Sequence, residues 1–174
     1  SHELVGLCQQ IGGDHIGVTM DVGNAYAVGE TPATFARRVG PFLKHVHLKD
    51  YTVHPTESGY RLKRCALGDG IVDWKSMLPW FDSQCPLVAG CIELGATSAR
   101  HIRLFEPGWW QTYPERDFVP DAIEALGDLQ RAAQPSATDW RTPHEAGESA
   151  PVCADYEIDQ IERSVAYLKE IGAV

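Results

Sequence analysis

Three residues combine a metal-capable side chain with a position at the end of an apolar run: Asp21, His47 and Glu93. Two carboxylates and an imidazole, brought to one place, form an oxygen and nitrogen donor set suited to a divalent cation such as Mn, Mg, Co or Zn. An ion held there could polarise a carbonyl while a neighbouring carboxylate moves a proton at the adjacent carbon. Each residue also has a plainer reading. Asp21 precedes Gly23-Asn24 and could simply shape that turn. A buried His47 needs a hydrogen-bond partner but not a metal. Glu93 is the lone carboxylate of an apolar strand, and without a metal it calls for an ion pair with an arginine such as Arg64 or Arg100.

The stretch His45-Val46-His47-Leu48-Lys49-Asp50 organises the rest. In a strand its side chains alternate, so His45, His47 and Lys49 share one face and Val46 and Leu48 the other. Three polar groups on one face are costly in a dry core, so that face needs a cavity, a metal or a hydrogen-bond network. His47, at the mouth, is the metal candidate. His45, one layer deeper, reads as a hydrogen-bonded interior residue, and Lys49 and Asp50 as loop anchors or substrate-side groups.

The elements that must position these groups follow from periodicity. Leu4, Leu7, Cys8 and Ile11 predict a helix stopped by Gly12-Gly13. His15 to Asp21 predicts a strand with Ile16, Val18 and Met20 on one face. Thr31-Pro32 opens a second helix carrying Phe35 and Val39, and Lys44 to Lys49 is the next strand. Residues 50–70 are polar, contain Pro55, Gly59, Gly68 and Gly70, and read as a long loop, with no tight-turn hairpin pattern anywhere. Asp73 caps a helix bearing Trp74, Met77, Leu78 and Phe81, bent at Pro79. Leu87 to Leu94 predicts a third strand, followed by an irregular aromatic segment from Phe105 to Tyr113. In that segment Trp109-Trp110 could wall a ligand site, but reads better as a cover for the rim of the fold. His54 and His101 read as solvated loop residues. A helix at Asp121–Ala132 and a polar linker or surface excursion over 135–151 come next. A last helix near Asp155–Ile171 carries an apolar stripe of Ile158, Ile161, Val165, Leu168 and Ile171.

Strands alternating with helices predict parallel pairing and an α/β fold. No Gly-rich phosphate fingerprint follows any strand, whereas three successive strands end in a metal-capable residue, which favours a (β/α)8 barrel over an open doubly wound sheet. A net charge of −9 argues against a general affinity for nucleic acid. No apolar run approaches the roughly 20 residues needed to span a bilayer. The five cysteines are odd in number and scattered, without a Cys-x-x-Cys pair, and read as reduced thiols in a cytoplasmic protein.

Four pieces in order resemble the sugar phosphate isomerase/epimerase superfamily, the xylose-isomerase-like TIM barrels. They are Met20-Asp21-Val22-Gly23-Asn24, His45 to Asp50, Leu67-Gly68-Asp69-Gly70 with Val72-Asp73-Trp74, and Ile92-Glu93. The resemblance spans roughly 1–118, the C-terminal part of such a barrel; 119–134 is a helix, 135–151 the polar excursion and 152–174 resembles the closing helix. It implies that Asp21, His47 and Glu93 bind a divalent metal together with a Glu from an upstream strand. Glu93 and that Glu would exchange protons with a small sugar, sugar phosphate or polyol ketone through an enediolate. Arg64, four residues before the Gly-x-Gly turn, would contact substrate. Asn24 stands where the epimerases often carry a substrate-binding His; its amide can hydrogen-bond a hydroxyl but cannot titrate.

By the same resemblance the chain opens in the helix after strand five and holds strands six to eight. The expectation is therefore a partial barrel needing its N-terminal half or a second copy as partner. Alternatives are a non-catalytic barrel fragment or subunit, a related lyase or dehydratase, and an endonuclease IV-like phosphodiesterase, which uses more metal ligands.

Overall fold

The computed structural model describes residues 1–85, 88–111 and 119–174. Up to residue 48 the elements follow the expected order, the first strand beginning at Val18 and not at His15. Helix α1 (His2–Ile11) ends at Gly12, whose positive φ of 69° suits a residue without a side chain. Strand β1 (Val18–Asp21) leads into a 3-10 segment, Val22–Val28. Helix α2 (Pro32–Val39) has Thr31 as N-cap, its hydroxyl accepting from the Thr34 amide at 3.2 Å. Strand β2 (Leu43–Leu48) pairs in parallel with β1.

The parallel sheet is completed by β5 (Ala89–Ile92), in the order β1-β2-β5. Of the longer strand expected at 87–94, Leu87 lies outside the described residues, and Glu93 falls one residue past the observed end. Val18, Met20 and Val46 point to one side and pack with Ala36, Val39, Trp74, Met77 and Phe81 from α2 and α3 (Trp74–Gln84). Asp73 caps α3, accepting from the Ser76 amide at 3.3 Å, and Pro79 lies inside the helix. The opposite face carries Thr19, His45, Ala89 and Cys91; Thr19, Ala89 and Cys91 are exposed. The sheet has three strands among the described residues and does not close into a barrel.

Residues 50–70 are not a long loop. They form a hairpin, β3 (Asp50–Thr56) with β4 (Gly59–Cys65), extended by β6 (Arg100–Ile102) into an antiparallel sheet. The turn, Glu57-Ser58, lacks the Asn-Gly or Asp-Gly pair that usually marks a two-residue connection, so the sequence hides it. The strand pattern was readable nonetheless: Tyr51 and Val53 on β3, and Tyr60 and Leu62 on β4, alternate with polar residues. All four are buried against Leu129 and Ala125 of α4 (Val119–Ala132). His54 and His101 are consequently strand residues. His54 is buried, which pushes its imidazole pKa down, and His101 is half-buried against the hydroxyls of Thr56 and Ser58. Trp109 and Trp110, in the 3-10 turn Pro107–Trp110, pack on this second cluster. Their indoles donate to Ala27 O at 3.3 Å and Leu104 O at 3.0 Å. Of the aromatic segment expected over 105–113, residues 112 and 113 lie outside the described residues.

The junction between the two sheets is one residue long: β2 ends at Leu48 and β3 begins at Asp50. Asp50 is fully buried and accepts four hydrogen bonds, from the amides of Tyr51 (2.9 Å), Gly68 (3.1 Å) and Val72 (3.1 Å) and from the Trp74 indole (2.9 Å). Two glycines make this possible. Gly68 sits at φ 89°, and a side chain on Gly70 would collide with the Asp50 carboxylate. Asp50 is thus a structural anchor on the side opposite the candidate metal ligands.

Helix α5 runs Ala150–Glu170, five residues earlier than expected, with Pro151 tolerated in its first turn. Only the C-terminal part of the expected apolar stripe, Leu168 and Ile171, packs on the core. Ile158 and Ile161 are exposed, and the buried positions are Gln160, Ser164 and Leu168. This face is polar because it meets backbone: Ser164 accepts from the Leu67 amide at 3.0 Å, and Tyr156 donates to Arg64 O at 3.1 Å. On α1, similarly, Cys8 is buried while Leu4, Leu7 and Ile11 are exposed. The excursion before α5 is docked: Thr142 is buried, and Trp140 stacks under Arg61 at 3.8 Å. No helix among the described residues is long and apolar enough to cross a membrane.

Replacing Asp50 with alanine strands four donors in a buried site and should cost about 3 kcal/mol or more in denaturant unfolding. An uncovered sheet face with unpaired edges should also make the chain self-associate as concentration rises. Sedimentation and thermal unfolding at several concentrations check this. A sharp, concentration-independent transition of a monomer is the contrary result.

Candidate metal centre

Parallel pairing puts the candidate ligands together. Asp21 is the last residue of β1, His47 lies opposite it on β2, and Glu93 follows β5, its amide bonded to Leu48 O at 3.0 Å. One ligand atom from each lies within 4.8 Å of the others, and all three residues are half-buried. His47 Nδ1 stands 2.7 Å from Asp21 Oδ1 and 2.8 Å from Glu93 Oε2.

The fourth member is Lys49. It shares the face of His47, as strand alternation requires, and its Nζ lies 3.0 Å from Asp21 Oδ2 and 2.7 Å from Glu93 Oε1. Its side chain is 3% exposed, so it belongs to the cluster and not to a loop above it. The remaining predicted residues border the same place. Asn24 donates to Asp21 Oδ2 at 2.6 Å and accepts from the Tyr51 hydroxyl at 2.7 Å. Arg64, on β4, is 3.6 Å from Glu93 Oε1. The metal-free reading of Glu93 is therefore present too, with Lys49 as its nearer cation and Arg64 further off. Asp21, Lys49 and Glu93 face a cavity of about 460 Å³, lined further by Asn24, Tyr51, Arg64, Ser98 and Arg100.

Burial alone would raise the Asp21 carboxyl pKa, but hydrogen bonds and charge from Lys49, and then from His47, outweigh it and hold it below the usual carboxylate range. Its ionised form therefore stabilises the fold above that range, and the contribution is lost as pH falls through the lowered value. For the Tyr51 hydroxyl, burial raises the pKa more than the nearby Lys49 and Arg64 lower it, so it stays a neutral donor. His45 lies deeper, half-buried, with Nε2 3.4 Å from Cys91 Sγ; these two and His47 form a second donor group within 4.8 Å.

Sequence reasoning left Lys49 undecided and missed Tyr51 and Ser98. The alternation that selected His47 also selected Lys49. Tyr51 and Ser98 carried no such mark, because the hairpin and the turn that bring them in were not foreseen.

Residues 1–83 match a family model described as Xylose isomerase-like TIM barrel. That span holds Asp21, Asn24, His47 and Arg64 and stops before Glu93. Among curated proteins, the chain is 28% identical over 78 residues to "Uncharacterized protein YihM" of Escherichia coli (strain K12). The shared span covers 45% of this chain and 24% of that protein. No solved structure matches the chain. The pieces quoted from the sequence, the mixed α/β fold with its parallel sheet and this match agree: over residues 1–83 the chain is similar to the xylose isomerase-like TIM-barrel family.

Proposed function

We propose that this chain supplies the metal-binding strands of a barrel enzyme that isomerises or epimerises a small sugar, sugar phosphate or related polyol ketone. The observation that carries this reading is the convergence of Asp21, His47 and Glu93 at the ends of three adjacent parallel strands. The donor set fits a hard or borderline divalent ion: two carboxylate oxygens and one imidazole nitrogen, all half-buried, with the two carboxylates bordering an open polar cavity. When bound, such an ion would supply Lewis acidity toward a substrate carbonyl. Glu93 then holds or moves the proton at the adjacent carbon. Arg64, Asn24 and Tyr51 border the cavity as hydrogen-bonding groups for hydroxyls or a phosphate. A lyase or dehydratase acting on a related polyol ketone would use the same groups. An endonuclease IV-like reaction fits less well, since the cluster offers three ligands and the chain is acidic.

The reading includes a second half. In this reading the three parallel strands stand as strands six to eight of a barrel, and their uncovered face and the exposed Leu4, Leu7 and Ile11 support a partner that continues the ring. That partner is an N-terminal barrel half or a second copy, and full activity is proposed only for the completed barrel.

Metal analysis of the purified chain after dialysis against Mn or Zn should find one ion per chain. His47→Ala should abolish binding, and His15→Ala, an exposed histidine away from the site, should leave it intact. Equal retention in the two variants contradicts the assignment. Absence of metal both from the chain alone and from its mixture with an upstream barrel half favours the non-catalytic reading.

A further inference from the structure

Lys49 is the one residue between the parallel sheet and the hairpin, and its backbone is gripped on both sides. Its carbonyl accepts from the Gly23 amide at 3.2 Å, and a side chain on Gly23 would come within 2.7 Å of that oxygen. Behind it, Asp50 is held by four donors. The lysine stem therefore starts from a fixed point and runs, buried, to the two carboxylates.

How those carboxylates divide their oxygens is informative. Asp21 presents Oδ1 to His47 and Oδ2 to Lys49. Glu93 presents Oε2 to His47 and Oε1 to Lys49. The imidazole and the ammonium thus use separate oxygens of each carboxylate. Two like charges this close would otherwise turn away from each other, and a carboxylate is free to do so about its terminal torsion. Arg64, at 3.6 Å and only to Glu93, cannot hold both.

We propose that Lys49 is a positioning residue of the metal centre: its buried ammonium clamps one oxygen of Asp21 and one of Glu93, and so turns the other oxygen of each toward His47, where a divalent cation is taken up. The proposal rests on the metal reading of Asp21, His47 and Glu93. Its ligand class is a divalent cation, from the two carboxylate oxygens and one imidazole nitrogen that Asp21, Glu93 and His47 offer. Partners that orient metal ligands in this way commonly contribute 10–100-fold to affinity. A lysine that merely occupied the cation position would have the opposite effect, because removing it would free the carboxylates for metal.

The test is Mn2+ titration of the full chain at neutral pH, read by the loss of the free-ion paramagnetic signal, for wild type, Lys49→Met, Lys49→Arg and Asp21→Asn. Circular dichroism establishes that each variant is folded. The expected result is binding by wild type, its loss in Asp21→Asn, an affinity about 10–100-fold weaker in Lys49→Met, and recovery of most of that loss in Lys49→Arg. Unchanged or tighter binding by folded Lys49→Met overturns the clamp, and so does a Lys49→Arg protein as weak as Lys49→Met. If Lys49→Met does not fold, Lys49→Arg decides alone: binding within a few-fold of wild type supports the clamp, and loss of binding overturns it. No binding by wild type, either alone or mixed with an upstream barrel half, or binding that survives Asp21→Asn, overturns the metal reading itself, a result distinguishable from failure of the clamp alone.

Discussion

The buried carboxylate of Asp50 is the fixed point of this fold. Its four donors come from β3, from the Gly68–Val72 turn and from the first residue of α3, so one side chain ties the hairpin to the helix that backs the parallel sheet. Burial raises its pKa more than the four donors lower it. Because Asp50 adjoins Lys49 in an extended chain, fixing one side chain on the structural face aims the other at the ligand face.

What the site can do follows from that arrangement. Two carboxylates sit next to each other at strand ends, a placement that would repel in isolation. Here Lys49 and His47 divide their oxygens, and Arg64 and Asn24 stand at the margin. The network keeps Asp21 ionised at neutral pH, the state a metal ligand requires. The polar face of the sheet, which a single domain would normally cover, is instead open, with Thr19, Ala89 and Cys91 exposed beneath the cluster. The site and the open face lie on the same side of the sheet, so whatever covers that face also lies over the site.

The parts legible in the sequence were those with short-range causes. Thr31-Pro32 and Asp73 cap helices where expected, Gly12 ends α1, and strand alternation placed Val46 in the core and His47 at the ligand face. The hairpin was hidden because its turn, Glu57-Ser58, carries no left-handed residue pair, and because Pro55 and the three glycines of 50–70 resemble a loop. Gly68 and Gly70 serve the wrapping of Asp50 instead, a long-range role that local pattern cannot reveal. Helix α5 was misjudged for a related reason. Its inward face meets the backbone of residues 64–67, so Ser164 and Tyr156 are turned in and the apolar Ile158 and Ile161 are left outside.

The central claim is that Asp21, His47 and Glu93 hold one divalent cation. The most direct measurement is anomalous diffraction from crystals of the chain grown with Mn2+. A single strong peak is expected within coordination distance of one oxygen of Asp21, one oxygen of Glu93 and a ring nitrogen of His47, with Lys49 still bonded to the other two carboxylate oxygens. Crystals that contain manganese but place it elsewhere, or that show Lys49 alone between the carboxylates at saturating metal, would contradict it.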